Sequence, residues 1–180
     1  MLAAYWKHST DGGETWALQD TSYSSGISFV DAKTGWTVGY GVRRTTDGGE
    51  TWTTRQPAFG SGIFFIDANT GFTAWGGCGA ETPCRGGIYK TIDGGESWTN
   101  LEFGGVFTAV FFSDPKIGTA VGGFRTLQQQ IIYRTTDGGE TWHRQTGGGY
   151  RLQAVAFVDA NIGTAVGIGG TILHTTTGGD

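Results

Sequence analysis

Four near-copies of one box, a second hairpin signal recurring between them, and a glycine-rich, proline-poor composition predict an all-β fold. The expected architecture is a β-propeller of four-stranded antiparallel blades. The box reads Ser/Thr, one residue, Asp-Gly-Gly-Glu-Thr/Ser-Trp, over 9–16, 45–52, 91–98 and 135–142, and a partial further copy is read at 175–180. Its tryptophans, Trp16, Trp52, Trp98 and Trp142, are spaced by 36, 46 and 44 residues. Between them recur the segments 29–39, 65–75, 112–122 and 157–167, each an apolar run, a tight Asp-x-x-x-Gly turn and a second apolar run. Four strands in about 40 residues make a propeller blade, whereas parallel β-helix coils are shorter.

Within each repeat, strand a ends at the Phe-x-Asp and strand b carries the Thr-Ala-Val-Gly type of run. Strand c precedes the box, and strand d begins at its Trp. The predicted order is a partial c–d hairpin at 5–19, blades near 22–55, 61–101 and 106–145, and an incomplete a–b–c blade at 151–176. These make about four blade equivalents in a single domain over 1–180. Strand d of the last blade is expected from the N-terminal hairpin, which would close the ring and remove an exposed edge. The alternatives are a piece of a longer propeller, and chains joining as a homo-oligomer through their incomplete blades.

Composition excludes several classes. With 34 Gly, 7 Trp and 3 Pro among 180 residues, the chain is neither disordered nor collagen-like. A formal charge of −4 and a pI near 5.3 give no electrostatic case for nucleic acid. No apolar run approaches the roughly 18 residues of a membrane span, and residues 1–6 do not read as a signal peptide. Cys78 and Cys84 share a Gly/Pro-containing loop and are two ligands too few for a zinc site. Read as a disulfide they imply an oxidising, extracytoplasmic setting; the other reading is two reduced thiols.

The box has a physical logic as a turn. Asp11, Asp47, Asp93 and Asp137 accept backbone N–H bonds, the glycines permit positive φ, and each Trp buries a flat surface. A calcium loop is the rival reading, but the box lacks the alternating oxygen ligands that an EF-hand uses. No metal or other cofactor is therefore expected.

These residues resemble the Asp-box, or bacterial neuraminidase, repeats of sialidases, sortilin-type receptors and xyloglucan-cleaving propellers. The pairing of Phe-x-Asp-Ala-Asn/Lys-x-Gly-x-x-x-Gly with Thr-x-Asp-Gly-Gly-Glu-Thr-Trp is most similar to the photosystem II assembly and stability factor family. That resemblance implies a propeller of seven blades and a non-catalytic role in binding a protein partner, perched at a membrane surface. It rests on scaffold residues, so it speaks for fold more than for function.

A census of the 16 acidic residues weighs against catalysis: nine lie in boxes, counting Asp180, and Asp31, Asp67, Asp114 and Asp159 repeat after strand a. Asp20, Glu81 and Glu102 alone fall outside the repeat. A glycosidase needs two carboxylates flanking one bond, which Glu81 and Glu102 would have to supply. Phe124-Arg125 forms half of a sialidase Phe-Arg-Ile-Pro motif, at the wrong end of the chain. A glycan-binding or glycan-cleaving module is thus the alternative function, and a truncated or engineered propeller without independent function is a third.

Each strand c carries His8, Arg44, Lys90, Arg134 or His174. These residues are read as lying along the blade surface, or else as a repeated contact to an acidic partner. His143 follows a box Trp and is expected on an exposed outer edge. The b–c loops 76–87 and 122–130 are enlarged. In propellers b–c and d–a loops share the face opposite the boxes, which collects Tyr40, Arg55, Phe59, Arg85, Phe103, Phe124, Arg125, Gln128, Arg144, Tyr150 and Arg151. Arginine mixed with aromatics is the composition of a protein-binding hot spot, and these are the candidate partner-binding residues.

Overall fold

The computed structural model describes residues 6–20, 22–55, 59–79, 83–124 and 129–179. It is built of antiparallel strands. A two-stranded hairpin pairs β1 (Trp6–His8) with β2 (Ala17–Asp20). The first four-stranded sheet runs in chain order through β3 (Ser24–Phe29), β4 (Gly35–Gly39), β5 (Val42–Thr45) and β6 (Thr53–Thr54). The second holds β7 (Gly62–Phe65), β8 (Gly71–Gly77), β9 (Arg85–Thr91) and β10 (Thr99–Glu102). The third holds β11 (Val106–Phe112), β12 (Gly118–Gly123), β13 (Gln130–Thr135) and β14 (His143–Gln145). A three-stranded sheet follows, β15 (Leu152–Phe157), β16 (Gly163–Gly167) and β17 (Ile172–Thr175).

The boxes are the c–d turns. In the box between β5 and β6 the Thr45 hydroxyl donates to Asp47 at 2.6 Å and accepts from Gly49 N at 2.8 Å. Asp47 in turn accepts from the backbone N–H and hydroxyl of Thr51 at 3.0 and 2.5 Å. The same bonds recur around Asp11, Asp93 and Asp137. Paired glycines there sit at positive φ, for example +82° and +94° at Gly48 and Gly49, a conformation other L-residues resist. At 175–179 the turn forms without its carboxylate: Thr177 stands where the other boxes have Asp, and its N–H donates to Thr175 Oγ1 at 3.2 Å.

The a–b turns use the other repeated aspartates. Asp31, Asp67, Asp114 and Asp159 each accept two backbone N–H bonds of 2.7–3.0 Å. Each turn also accepts an N–H from the neighbouring box, as in Gly138 N to Lys116 O at 2.9 Å.

Successive sheets stack face to face through apolar cores. Trp36 lies parallel to Phe65 of the next sheet at 3.7 Å, and Phe72 to Phe112 of the sheet beyond at 4.4 Å. Val121 meets Leu152 and Ala165 between the third sheet and the last. The expected closing pair is not formed: among the described residues β2 pairs with β1 and β17 with β16. Trp16 of the hairpin is accordingly 58% exposed, against 8% for Trp142.

Candidate partner-binding surface

Three of the five strand-c residues, Arg44, Lys90 and Arg134, join sheets. Lys90 Nζ donates to Gly138 O and Glu140 of the next box at 2.9 and 2.6 Å, and Arg134 donates to Gly178 O and Ala160 O at 2.6 and 2.7 Å. Arg44 lies over the Trp36 ring at 5.2 Å, beside Gly94 of the next box. His174 keeps within its sheet, 3.2 Å from Thr164, and His8 and His143 are exposed. Arg44, Lys90 and Arg134 are thus engaged between sheets, and the loop ends are the remaining candidates for binding.

The candidate residues there divide into two groups. Phe103 packs on Tyr133 at 4.8 Å and on Phe107, and Phe124 packs on the same core. Arg55 bridges to Glu96 of the next sheet at 2.7 Å, and the Arg151 stem lies against Gly123. These four cap and tie sheets. Tyr40, Phe59, Arg85, Arg144 and Tyr150 are instead exposed to solvent, Tyr40 by 86%. Tyr40 leans on Tyr23 at 5.0 Å. Arg125, Gln128 and Glu81 lie outside the described residues.

The second sheet gathers most of this chemistry. Trp75 on β8, Tyr89 on β9 and Asn100 and Glu102 on β10 fall on one sheet face by the cross-strand register. Trp75 stacks on Tyr89 at 5.4 Å and donates its Nε1–H to Asn100 Oδ1 at 3.1 Å. Phe59, half exposed, meets both rings edge-on at 5.8 and 6.1 Å. Burial, then the nearby Glu102 charge, raise the Tyr89 hydroxyl pKa, so it stays a neutral donor. Glu102 is 3.6 Å from Arg85, and the Cys78–Cys84 disulfide closes the loop that carries Arg85.

Trp75, Tyr89 and Asn100 were not among the residues singled out from sequence, yet a signal exists. Trp75 fills the place held by Gly39, Gly122 and Gly167 in the other copies. In those three sheets strand a carries a bulge, and a Cβ on the glycine would lie 2.0–2.5 Å from its carbonyl oxygens. The second sheet has no such bulge in its ladder, and β7 begins only at Gly62, opposite Ala74, so no β7 residue pairs with Trp75. The departure from the repeat at Trp75 is the sequence signal of this surface.

The repeated aspartates, by contrast, are committed to turns. Hydrogen bonds from Ser9, Thr45 and Thr141 lead the causes that hold Asp11, Asp47 and Asp137 far below the usual carboxylate range. Asp93 is lowered to about 2, chiefly by the Ser97 hydroxyl. Among the described residues no group of three or more His, Cys, Asp or Glu is placed to hold a metal ion. No described helix is long and apolar enough to cross a membrane.

Comparison with known proteins agrees with this architecture. The BNR/Asp-box repeat family matches residues 7–18 and 133–144. No curated protein matches the chain. Among solved structures, one described as YCF48 bound to D1 peptide is 21% identical with a TM-score of 0.52, over 84% of this chain and 53% of that one. A GH74 enzyme of Niastella koreensis is 16% identical with a TM-score of 0.72, over 98% of this chain and 33% of that one. The computationally designed Ika4 protein is 12% identical with a TM-score of 0.60, over 88% of this chain and 94% of that one. The chain thus spans about half of the first structure and a third of the second. At such identities the likeness is one of fold. The chain is built of BNR/Asp-box repeats arranged as stacked β-propeller blades.

Proposed function

We propose that the protein is a non-catalytic scaffold that binds a segment of a protein partner on the loop ends of its second sheet. The observation that carries this reading is the Phe59–Trp75–Tyr89 aromatic group, flanked by Arg85 and Glu102 and set on a disulfide-closed loop. Aromatics and arginine on a rigid base lose little entropy on binding and dominate protein interfaces. Tyr40, Arg144 and Tyr150 extend the same chemistry to the adjoining sheets. The similarity to a YCF48 structure with a bound D1 peptide is consistent with a peptide ligand. Assembly or stabilisation of a partner protein is the role this would serve.

A displayed peptide library selected on the wild-type chain tests the reading. Trp75→Ala and Phe59→Ala should each weaken the selected peptide by about tenfold or more, the cost of removing an interface aromatic. Unchanged affinity in both variants would refute it. A second reading, a glycan site, is favoured by the same Trp75 ring beside Asn100 and Glu102. Binding or hydrolysis across a glycan panel, lost on Glu102→Gln, would put it first.

A further inference from the structure

We propose that the Cys78–Cys84 bridge is a reversible redox site: a dithiol opens it, and the hairpin it closes then lets the second-sheet surface out of its binding shape. The proposal rests on the reading of that surface as a peptide site. The bridge continues the β8–β9 ladder, whose last rungs set Trp75 opposite Gly87, Gly76 opposite Gly86 and Gly77 opposite Arg85. β8 and β9 have seven residues each, against five and four for β4 and β5 of the first sheet. Beyond Trp75 these rungs carry the Arg85 side chain and otherwise glycines, so the sulfur link pins the end of the ladder. Ile88, the fully buried side chain of β9, sits opposite Ala74, further back than all three rungs.

The hairpin is held from outside by backbone. Phe103 N and Gly104 N both donate to Gly86 O at 3.0 Å, and Gly105 N donates to Cys84 O at 3.4 Å. Gly104 and Gly105 have φ of +77° and +82°, which turns their N–H groups toward the hairpin. The approach is close: a Cβ on Gly86 would run into Gly105 O, and one on Gly76 into the Val106 backbone. This turn follows Glu102 and begins with Phe103, which packs on Tyr133 of the third sheet at 4.8 Å. Glu102 is in turn the partner of Arg85. Bridge, turn and surface are thus coupled through three backbone bonds and one ion pair.

Cys78 and Cys84 are each half-buried and lie between exposed neighbours, Gly77, Gly79, Pro83 and Arg85, so a thiolate has access to the bridge. Its attack on one sulfur forms a mixed disulfide and expels the other cysteine as a thiolate, which takes up a proton. The second thiol of the reductant, as its thiolate, then displaces the remaining cysteine, which is protonated in the same way. Two electrons have passed to the bridge, and the reductant leaves as its own disulfide; exchange with a disulfide of the same class reverses the step. Freed at its end, a ladder rich in glycine frays, because glycine regains the most backbone entropy on release. Gly105 N then loses Cys84 O, and Arg85 moves away from Glu102. The core rows lie outside the opened segment, and a bridge spanning six residues constrains little else of the chain.

The test uses the intact chain with dithiothreitol as the dithiol, and the double variant Cys78→Ser, Cys84→Ser as the permanently open form. Alkylation should trap both cysteines after reduction, with far-UV circular dichroism unchanged. Hydrogen exchange at the Phe103, Gly104 and Gly105 amides should quicken about tenfold or more, while β11 and β12 keep their protection. The library-selected peptide should bind the open forms about tenfold more weakly, and reoxidation of the wild type should restore it. A bridge that dithiothreitol opens only by unfolding the chain overturns the proposal. So does unchanged exchange at 103–105 in the reduced chain, an equal rise across β11 and β12, or equal peptide affinity before and after reduction. Failure to select any peptide would sink the surface reading instead, because exchange at 103–105 follows the hairpin without a ligand.

Discussion

The same tryptophan, at the same place in the same box, should matter differently at the two ends of this chain. Trp142 is 8% exposed and meets Phe72 and Phe112 edge-on at 6.2 and 5.9 Å. Its truncation to alanine removes two aromatic contacts and opens a cavity against the main core, a loss of about 3–5 kcal/mol. Trp16 is 58% exposed and keeps one evident tie, its Nε1–H to Gly13 O at 3.0 Å. Trp16→Ala should cost no more than about 1 kcal/mol. Urea unfolding followed by far-UV circular dichroism measures both, with hydrogen exchange over β11–β13 to locate the Trp142 effect. Trp142→Phe should recover part of the loss if the wild-type contact is packing. Equal losses in the two alanine variants would refute the reasoning, because they would place the hairpin in a stacked environment. A loss below about 1 kcal/mol at Trp142 would refute it from the other side.

Lys90→Met should cost about 1–3 kcal/mol by orphaning Gly138 O while keeping the buried stem, measurable by the same unfolding curve. Acid should loosen the boxes. Asp93 in the folded chain is held at about 2, below the unfolded value of about 3.9, so its contribution is complete above that unfolded value and is lost as pH falls toward 2. Thermal midpoints between pH 5 and pH 2 should therefore fall, and Asp93→Asn should flatten the fall. Trp75→Gly should restore the repeat at little cost to stability while removing partner binding. Gly122→Ala should destabilise by several kcal/mol, about the cost of overpacking or more, because its Cβ would sit 2.0 Å from Val106 O. Reduction of Cys78–Cys84 should weaken binding to the second-sheet surface more than it lowers the unfolding midpoint, since the bridge closes a short loop.

Much of the fold was legible because the repeat writes each hydrogen bond several times. Asp47, Asp93 and Asp137 could be read as turn acceptors, and Phe29, Phe65 and Phe112 as the ends of first strands, from their fixed distances to glycine and tryptophan. The division of the loop residues was not legible in this way. Arg55 and Arg85 look alike in sequence, yet one spans to Glu96 of the next sheet and the other stays at the surface near Glu102. Arg55 follows β6 and reaches the box of the second sheet, whereas Arg85 opens β9 beside the disulfide, and no local pattern encodes that difference. Trp75 was hidden for the opposite reason. Its signal is a broken rule, the one copy without the glycine, and it becomes meaningful only once the bulge that demands glycine in the other sheets is known.

The ties between sheets also run one way along the chain. Side chains of one sheet bind the backbone or box of the next: Ser25 to Gly60 O, Trp36 to Gly94 O, Lys90 to Gly138 O, Thr108 to Leu152 O, Arg134 to Gly178 O. The two ends of the stack are therefore unlike. The first sheet gives such bonds to the second. The last sheet receives them, so its turn at 175–179 keeps the box geometry without the carboxylate that shapes the others.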